Sequence, residues 1–401
     1  MVATLTRTLG SRHLSLAEDA VQDALLTAMQ QWPFRGIPDN PEAWLFSVAR
    51  NRVLDRLRHA KIAVEKAPAI ARRIDTVERP AAAPLLKDEL PAIDDDQLGL
   101  LFLTCHPALP SDARVALALK LVGGFSVGEI ARAFLLPETT IAQRLVRAKR
   151  SLRDEDASFG MPEPADLSPR LDSVIDTLYL MFNEGYAATS GDQLIRDDVA
   201  FEAMRLARML AWHPATTCPR AWALLALMLL HAARFASRVD KAGTPFMLRD
   251  QDRSRWDRAL IAEGLRALGR SASGDVISAE HFEAGIAACH AAAPSWDATD
   301  WPRIVGLYDE LLALTHSPVV AVNRAIAISR LDGPLSGLAA LEAIDNRAAL
   351  ERYPLLPAIQ AELWREAGDL HRAAACYREA LGLARSSPEQ RWLTSRLSHL
   401  V

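Results

Sequence analysis

Apolar residues recur at three- and four-residue spacing along nearly the whole 401-residue chain, and no segment shows the strict alternation of a half-buried strand. That period admits helices and excludes sheets, so the expected fold class is all-α. Turn-rich stretches divide the chain into blocks. The first, 1–60, opens with SLAEDAVQDALLTAMQQW, where Ser15 and Glu18 have the spacing of a capping box. The loop PFRGIPDNP follows, then PEAWLFSVARNRVLDRLRH, whose Pro41 suits a helix start. Residues 61–96, rich in Ala and Pro, read as a linker with local helix. A third block spans 97–156, a second linker around MPEPADLSP spans 157–169, and 170–401 is Ala- and Leu-rich helix.

Within the third block, FSVGEIARAFLLPETTIAQRLVRAKRSLR predicts two short helices joined by a tight turn. Ser126 and Glu129 start the first, which carries Ile130, Ala131 and Phe134 and meets Pro137. From Glu138, Ile141, Leu145, Ala148 and Leu152 draw one apolar stripe. Arg144, Arg147, Lys149, Arg150 and Arg153 have no carboxylate interleaved among them, unlike a solvated helix face that alternates signs. Thr139, Thr140 and Gln143 stand in the first turns, where a helix-turn-helix presents side chains to base edges. The expected ligand of this pair is duplex DNA.

The helix after the PFRGIPDNP loop is also informative. Leu45, Phe46, Ala49, Val53 and Leu57 share one arc, and Trp44, Ser47, Asn51, Asp55 and Arg58 lie opposite. Trp44, with Phe34 and Arg35 in the loop and Arg50, Arg52, Arg56 and Arg58 along the helix, supplies stacking surface and phosphate contacts for single-stranded DNA. The alternative is that Trp44 closes the core over the loop.

The net charge of −4 and a pI near 6.2 do not themselves suggest nucleic acid, so local charge carries that reading. Cys105, Cys218, Cys289 and Cys376 are far apart, which indicates neither a zinc site nor a disulfide framework. The N-terminus lacks a signal-like apolar core, and the run from Trp222 to Ala233 is too short to span a bilayer. A soluble cytoplasmic protein with reduced thiols, no membrane partner, no metal and no cofactor is expected.

Towards the C-terminus, PAIQAELWREAGDLHRAAACYREALGLA places Leu363, Gly368, Ala373, Tyr377 and Ala380 much as a tetratricopeptide repeat does. A stacked helical array able to bind a peptide or another domain is the expected architecture. His231, His281, His290, Glu184 and the stretch DQDRSRWD are the residues from which a metal or acid-base site would have to be built. No HExxH, phosphate loop or nucleophile elbow accompanies them, so no enzyme is expected. Asp250, Asp252, Arg253 and Arg255 read instead as an ion-pair network, and FNEGY as a helix end capped by Gly185.

The stretches AEDAVQDALLTAMQQWP, GIPDNPEAWLFSVARNRVLDRLRH, LLFLTCHPALP and GFSVGEIARAFLLPETTIAQRLVRAKRSLR, in that order, resemble domains 2 and 4 of extracytoplasmic-function (ECF) sigma factors of bacterial RNA polymerase. LYLMFNEGYAATSGD, LLALMLLHAARFASR, DQDRSRWDRALI and LYDELLALTHSPVVAVNRAIA resemble the group with a long helical extension. Members usually carry a further helical segment before the stretch similar to MVATLTRTLG. Either the start lies upstream or domain 2 is short.

The resemblance implies a division of labour. Glu18, Asp19, Gln22 and Asp23 would dock on the clamp helices of core RNA polymerase. The loop Phe34 to Asn40 with Trp44, Arg50, Asn51, Asp55 and Arg58 would capture unstacked bases of the −10 element. Thr139, Thr140, Gln143, Arg144 and Arg147 would read the −35 element as duplex. The extension 170–401 would regulate the factor from within its own chain, with a protein regulator as a further partner.

Overall fold

The computed structural model describes residues 1–66, 93–134, 136–186, 195–240, 243–345, 350, 353, 355–384 and 386–400. The described residues contain helices and no strand, and Val239 and Pro245 form an isolated antiparallel bridge. Within the expected linker 61–96, helix continues to Lys66 and resumes at Ile93, the local helix its sequence allows, and residues 67–92 lie outside the described set. Two compact units are formed, one from Met1–Val127 with Thr139–Val174, the other from Gly128–Glu138 with Ile175–Val401.

The first unit begins with α1 (Val2–Leu9), α2 (Leu14–Arg35) and α3 (Pro41–Lys66). Ala17, Ala20 and Ala24 of α2 meet Ala49 and Val53 of α3 with Leu5 of α1, and side chains this small let helix axes approach closely. Leu45, Phe46 and Leu57 pack on that core, as their spacing requires. α2 departs from expectation at both ends. A 3-10 turn at Ser11–His13 leads into it, so Ser15 lies inside the helix and forms no capping box. Its C-terminal end runs through Pro33 to Arg35, where Gly36 (φ 79°) stops it, leaving a loop of only residues 36–40. Asn40 then accepts from the Ala43 amide at 3.0 Å and starts α3, with Pro41 at the first helical position.

α4 (Ile93–Thr104) packs on α1 and on α5 (Ser111–Leu121): Leu98, Leu100 to Leu103 and Val115 to Leu119 are all buried, the mark of helices apolar around most of their circumference. α6 (Val127–Phe134) belongs, apart from Val127, to the second unit, and α7 (Glu138–Asp154), apart from Glu138, to the first. The expected linker 157–169 is non-helical through residue 163 and helical beyond it. α8 (Pro164–Tyr186) starts within it, and Arg170 and Ser173 donate to the carbonyls of Phe102 and Cys105 at 2.7 and 2.5 Å. These acceptors lie at the end of α4, where carbonyls lack helical partners.

In the second unit, α9 (Asp197–Trp212) and α10 (Pro219–Ala232) precede the short α11 (Phe235–Arg238). α10 is apolar all round, and Ala223 to Leu230 are completely enclosed by α9, α12 (Arg258–Ser271) and α13 (Ala279–Ala292). α14 (Trp301–Thr315), α15 (Pro318–Asp332), α16 (Pro334–Glu342), α17 (Leu355–Glu366), α18 (Leu370–Leu383) and α19 (Ser387–Ser398) follow, each packed on the next. Nearest-neighbour stacking of this kind builds helical-repeat arrays. Gly368 (φ 87°) turns α17 into α18, and Ala361, Ala373, Tyr377 and Ala380 fill the seam.

Two expectations for this unit are corrected. Gly185 does not cap a helix end, because α8 continues to Tyr186. A Cβ at Gly185 would fall 2.4 Å from the Ala200 amide nitrogen, so glycine is there to let α9 approach. Asp250, Asp252, Arg253 and Arg255 do not form one ion-pair network either. Asp250 pairs with Arg249 and Arg396, Asp252 caps the Arg253–Arg255 turn through Ser254, and Arg253 donates to the carbonyls of His290 and Ala293.

Candidate nucleic-acid and polymerase interface

α7 buries Ile141, Leu145, Ala148 and Leu152, so its other faces are fixed by the helical period. Thr139, Gln143 and Arg147 are exposed and Thr140 is half-buried. Arg147 has no ionic partner among the described residues. Its basic neighbours are less free than their sequence suggests. Arg144 pairs with Asp112 of α5 at 2.9 Å and is largely covered, while Lys149 pairs with Glu18 of α2. Arg150 and Arg153 reach Asp154 at 3.4 and 3.8 Å on an exposed surface, where such pairs hold weakly. Carboxylates are absent between these cations along the chain and supplied through space.

The second cluster lies on α2, α3 and the loop joining them. Phe34 is 89% exposed, Arg35, Asn40, Arg50, Asn51 and Asp55 are exposed, and the side chain of Arg58 lies outside the described residues. Trp44 is half-buried and tilted against Trp32, with ring centroids 5.6 Å apart, so it partly closes the core and partly faces outward. Trp32, whose indole nitrogen is buried with no acceptor, and the exposed Ile37 join this cluster without having been singled out by sequence.

The acidic set on α2 divides. Asp19 and Asp23 both accept from Arg56 of α3, at 3.4 and 2.7 Å, and Gln22 is exposed. Glu18 is buried between Lys149 and Lys120, the latter 3.6 Å away. Beside Gln22, Leu25, Leu26 and Met29 are 47%, 56% and 73% exposed. This apolar face escaped the sequence pattern because alanines, not leucines, line the buried side of α2.

Two of the histidines weighed for a metal or acid-base site do other work. His281 accepts from the Ser278 amide at the start of α13, and His231 lies 2.7 Å from Arg234 against the Tyr186 ring. Among the described residues no three His, Cys, Asp or Glu converge as a metal site would require. Glu283 is a titratable group that sequence did not mark. Burial, reinforced by Glu280, pushes its carboxyl up to about 7, against the hydrogen bond it accepts from Tyr179 at 3.1 Å.

Residues 1–62 match the family model for sigma-70 region 2, residues 100–152 that for sigma-70 region 4, and residues 170–272 a family of unknown function, DUF6596. An uncharacterized protein of Rhizobium meliloti is 37% identical over 394 residues, covering 97% of this chain and 91% of the relative. The ECF RNA polymerase sigma factor SigL of Mycobacterium tuberculosis is 32% identical over 138 residues, 34% of this chain and 72% of the relative. No solved structure matches the chain. No helix among the described residues is long and apolar enough to cross a membrane. With region 2 ahead of region 4, and a curated relative matched over most of its own length, the chain belongs to the sigma-70 family of RNA polymerase sigma factors.

Proposed function

We propose that the chain is an ECF-type sigma factor that brings core RNA polymerase to promoters by reading −35 DNA as duplex and −10 DNA as melted strand. The observation that carries this reading is the face of α7: Thr139, Gln143 and Arg147 stand exposed in its first turns, opposite four buried apolar residues. Phe34, Arg35, Asn51 and the Trp32–Trp44 pair supply the aromatic and cationic surface that unstacked bases require. Gln22 with the exposed Leu25, Leu26 and Met29 forms the polymerase-docking face, since an exposed apolar patch beside polar residues marks a protein interface. The cytoplasm, where polymerase and promoter meet, is the site of action.

The extension acts on the same chain and offers a surface to a protein regulator. Support comes from inside the second unit, where Arg196, next to the start of α9, donates to the Glu129 carbonyl of α6 at 3.1 Å. α6 is the first helix of the helix-turn-helix, so an element of DNA recognition shares a folding unit with the extension. Co-purification with core polymerase tests the function: the full chain should retain core on an affinity column, and a chain with Leu26→Asp and Met29→Asp should lose it. Equal retention by both would refute the docking face, and retention by neither would refute the function.

A further inference from the structure

In the second unit, α14, α15, the end of α13 and the segment Met247 to Arg249 line a cavity of about 220 Å3. At ~30 Å3 per molecule that is room for about seven waters, or for one fused-ring ligand. Helical spacing aligns its walls. Trp301, Ile304 and Tyr308 come from one face of α14, and Asn323, Ala327 and Arg330 from one face of α15. Trp296 and Trp301 meet edge to face, centroids 4.7 Å apart, and His290 meets Trp301 at 5.4 Å.

Three polar groups on these walls are unpartnered. His290 Nδ1 is buried without a hydrogen bond, and neither the Tyr308 hydroxyl nor the Asn323 amide bonds any described residue. Buried polar atoms are nearly always paired, so His290 Nδ1, facing a cavity beside a hydroxyl and an amide with no protein partner, marks a place where something else supplies the partner. Burial, with Arg234 and Arg253 nearby, pushes His290 down to about 3. The ring therefore stays neutral and offers one donor and one acceptor nitrogen.

Charge narrows the ligand. Aromatic walls by themselves would suit a cation, but among the described residues Arg249 and Arg330 line this cavity and no carboxylate does. An anion has no free cation to meet, because both guanidinium groups are already held by Glu366, and Arg249 by Glu362 as well. We propose that this cavity binds a small uncharged aromatic heterocycle, its ring against Trp296 and Trp301 and its polar edge towards His290 Nδ1 and the Tyr308 hydroxyl. The residues named here all lie in the extension, and none of them is among those assigned to promoter recognition.

Saturation-transfer NMR and calorimetry on the full chain, with benzimidazole as probe at about pH 8 where it is uncharged, test the proposal. Benzimidazole carries one donor and one acceptor nitrogen, and indene has the same skeleton with neither. Saturable benzimidazole binding is expected, at least about tenfold tighter than indene, because a site built to hydrogen-bond its ligand rejects the analogue that cannot. His290→Phe should weaken it about tenfold and Tyr308→Phe by at least about threefold, and Ile326→Trp, which fills the space, should abolish it. Tyr308→Phe removes a single oxygen and keeps the test decisive if His290→Phe fails to fold. Absence of saturable binding, indifference of binding to Tyr308→Phe and Ile326→Trp in folded protein, or tighter binding of choline than of benzimidazole would overturn the proposal.

Discussion

Arg147 and Arg144 differ in what their charge is already doing. Arg147 stands exposed with no ionic partner among the described residues, whereas Arg144 must leave Asp112 before it can meet DNA. Arg147→Ala should therefore cost about 1–3 kcal/mol in −35 duplex binding if it holds a base edge, or lower the salt slope by about one if it holds a phosphate. Asp112→Ala should tighten binding by freeing Arg144. Fluorescence anisotropy across salt concentrations measures both, and unchanged affinity and slope in Arg147→Ala would remove it from the interface. A second residue-scale outcome concerns Glu283, whose carboxyl titrates at about 7 in the fold against an ordinary 4.5. The folded chain binds the extra proton between those values, so this group's contribution is fully present below about pH 4.5 and is lost as pH rises through 7. Glu283→Gln should match the wild type near pH 4.5 and exceed it near pH 8 by up to about 3 kcal/mol. Paired urea titrations give the difference, and a pH-independent difference would contradict the assignment.

Elements show how far sequence reaches. α7 and its buried stripe were legible because four apolar residues recur at helical spacing after a proline turn. The pairing of Lys149 with Glu18 was not, since 131 residues separate the partners and no local period encodes a long-range contact. The start of α2 was misread for a related reason: a Ser-x-x-Glu pattern also occurs inside helices, and the 3-10 turn before it carries no signal of its own. Gly185 reads as a cap until α9 is seen against it. The Glu18 pair has a measurable consequence. Removing one partner of a buried pair costs about 3–5 kcal/mol, and Lys120 remains close enough to Glu18 to offset part of that. Lys149→Met should lower stability by about 1–3 kcal/mol and, by releasing Glu18, raise affinity for core polymerase. Chemical denaturation and core-binding titrations should move in opposite directions, and a change in neither would show that the pair is idle. For the loop 36–40 and α3, Asn51→Ala with Phe34→Ala should impair promoter opening while leaving binding to an isolated −35 duplex intact. Permanganate reactivity of promoter thymines reports this, and normal opening would withdraw the −10 role.

For the whole molecule, the unit boundary inside α8 decides where the chain can be cut. Arg170 and Ser173 close the end of α4, so a fragment stopping near Met161 loses those bonds whereas one ending at Val174 keeps them. The unit boundary at Val174 falls inside α8, past the prolines of MPEPADLSP, because a proline cluster marks a helix start as readily as a linker. The fragment 1–174 separates from the extension only after α8 has completed the first unit, although α6 is assigned with the second. If the extension acts in cis, transcription by the fragment should differ from that of the full chain at equal occupancy of core. Sigma activity is tested most directly by run-off transcription in vitro by core polymerase with the full chain on the DNA upstream of its own gene. The predicted result is a transcript of discrete length that core alone does not make and that disappears when the −35 or −10 sequence is scrambled. Transcription no different from that of core alone, on this and other upstream regions, would contradict it.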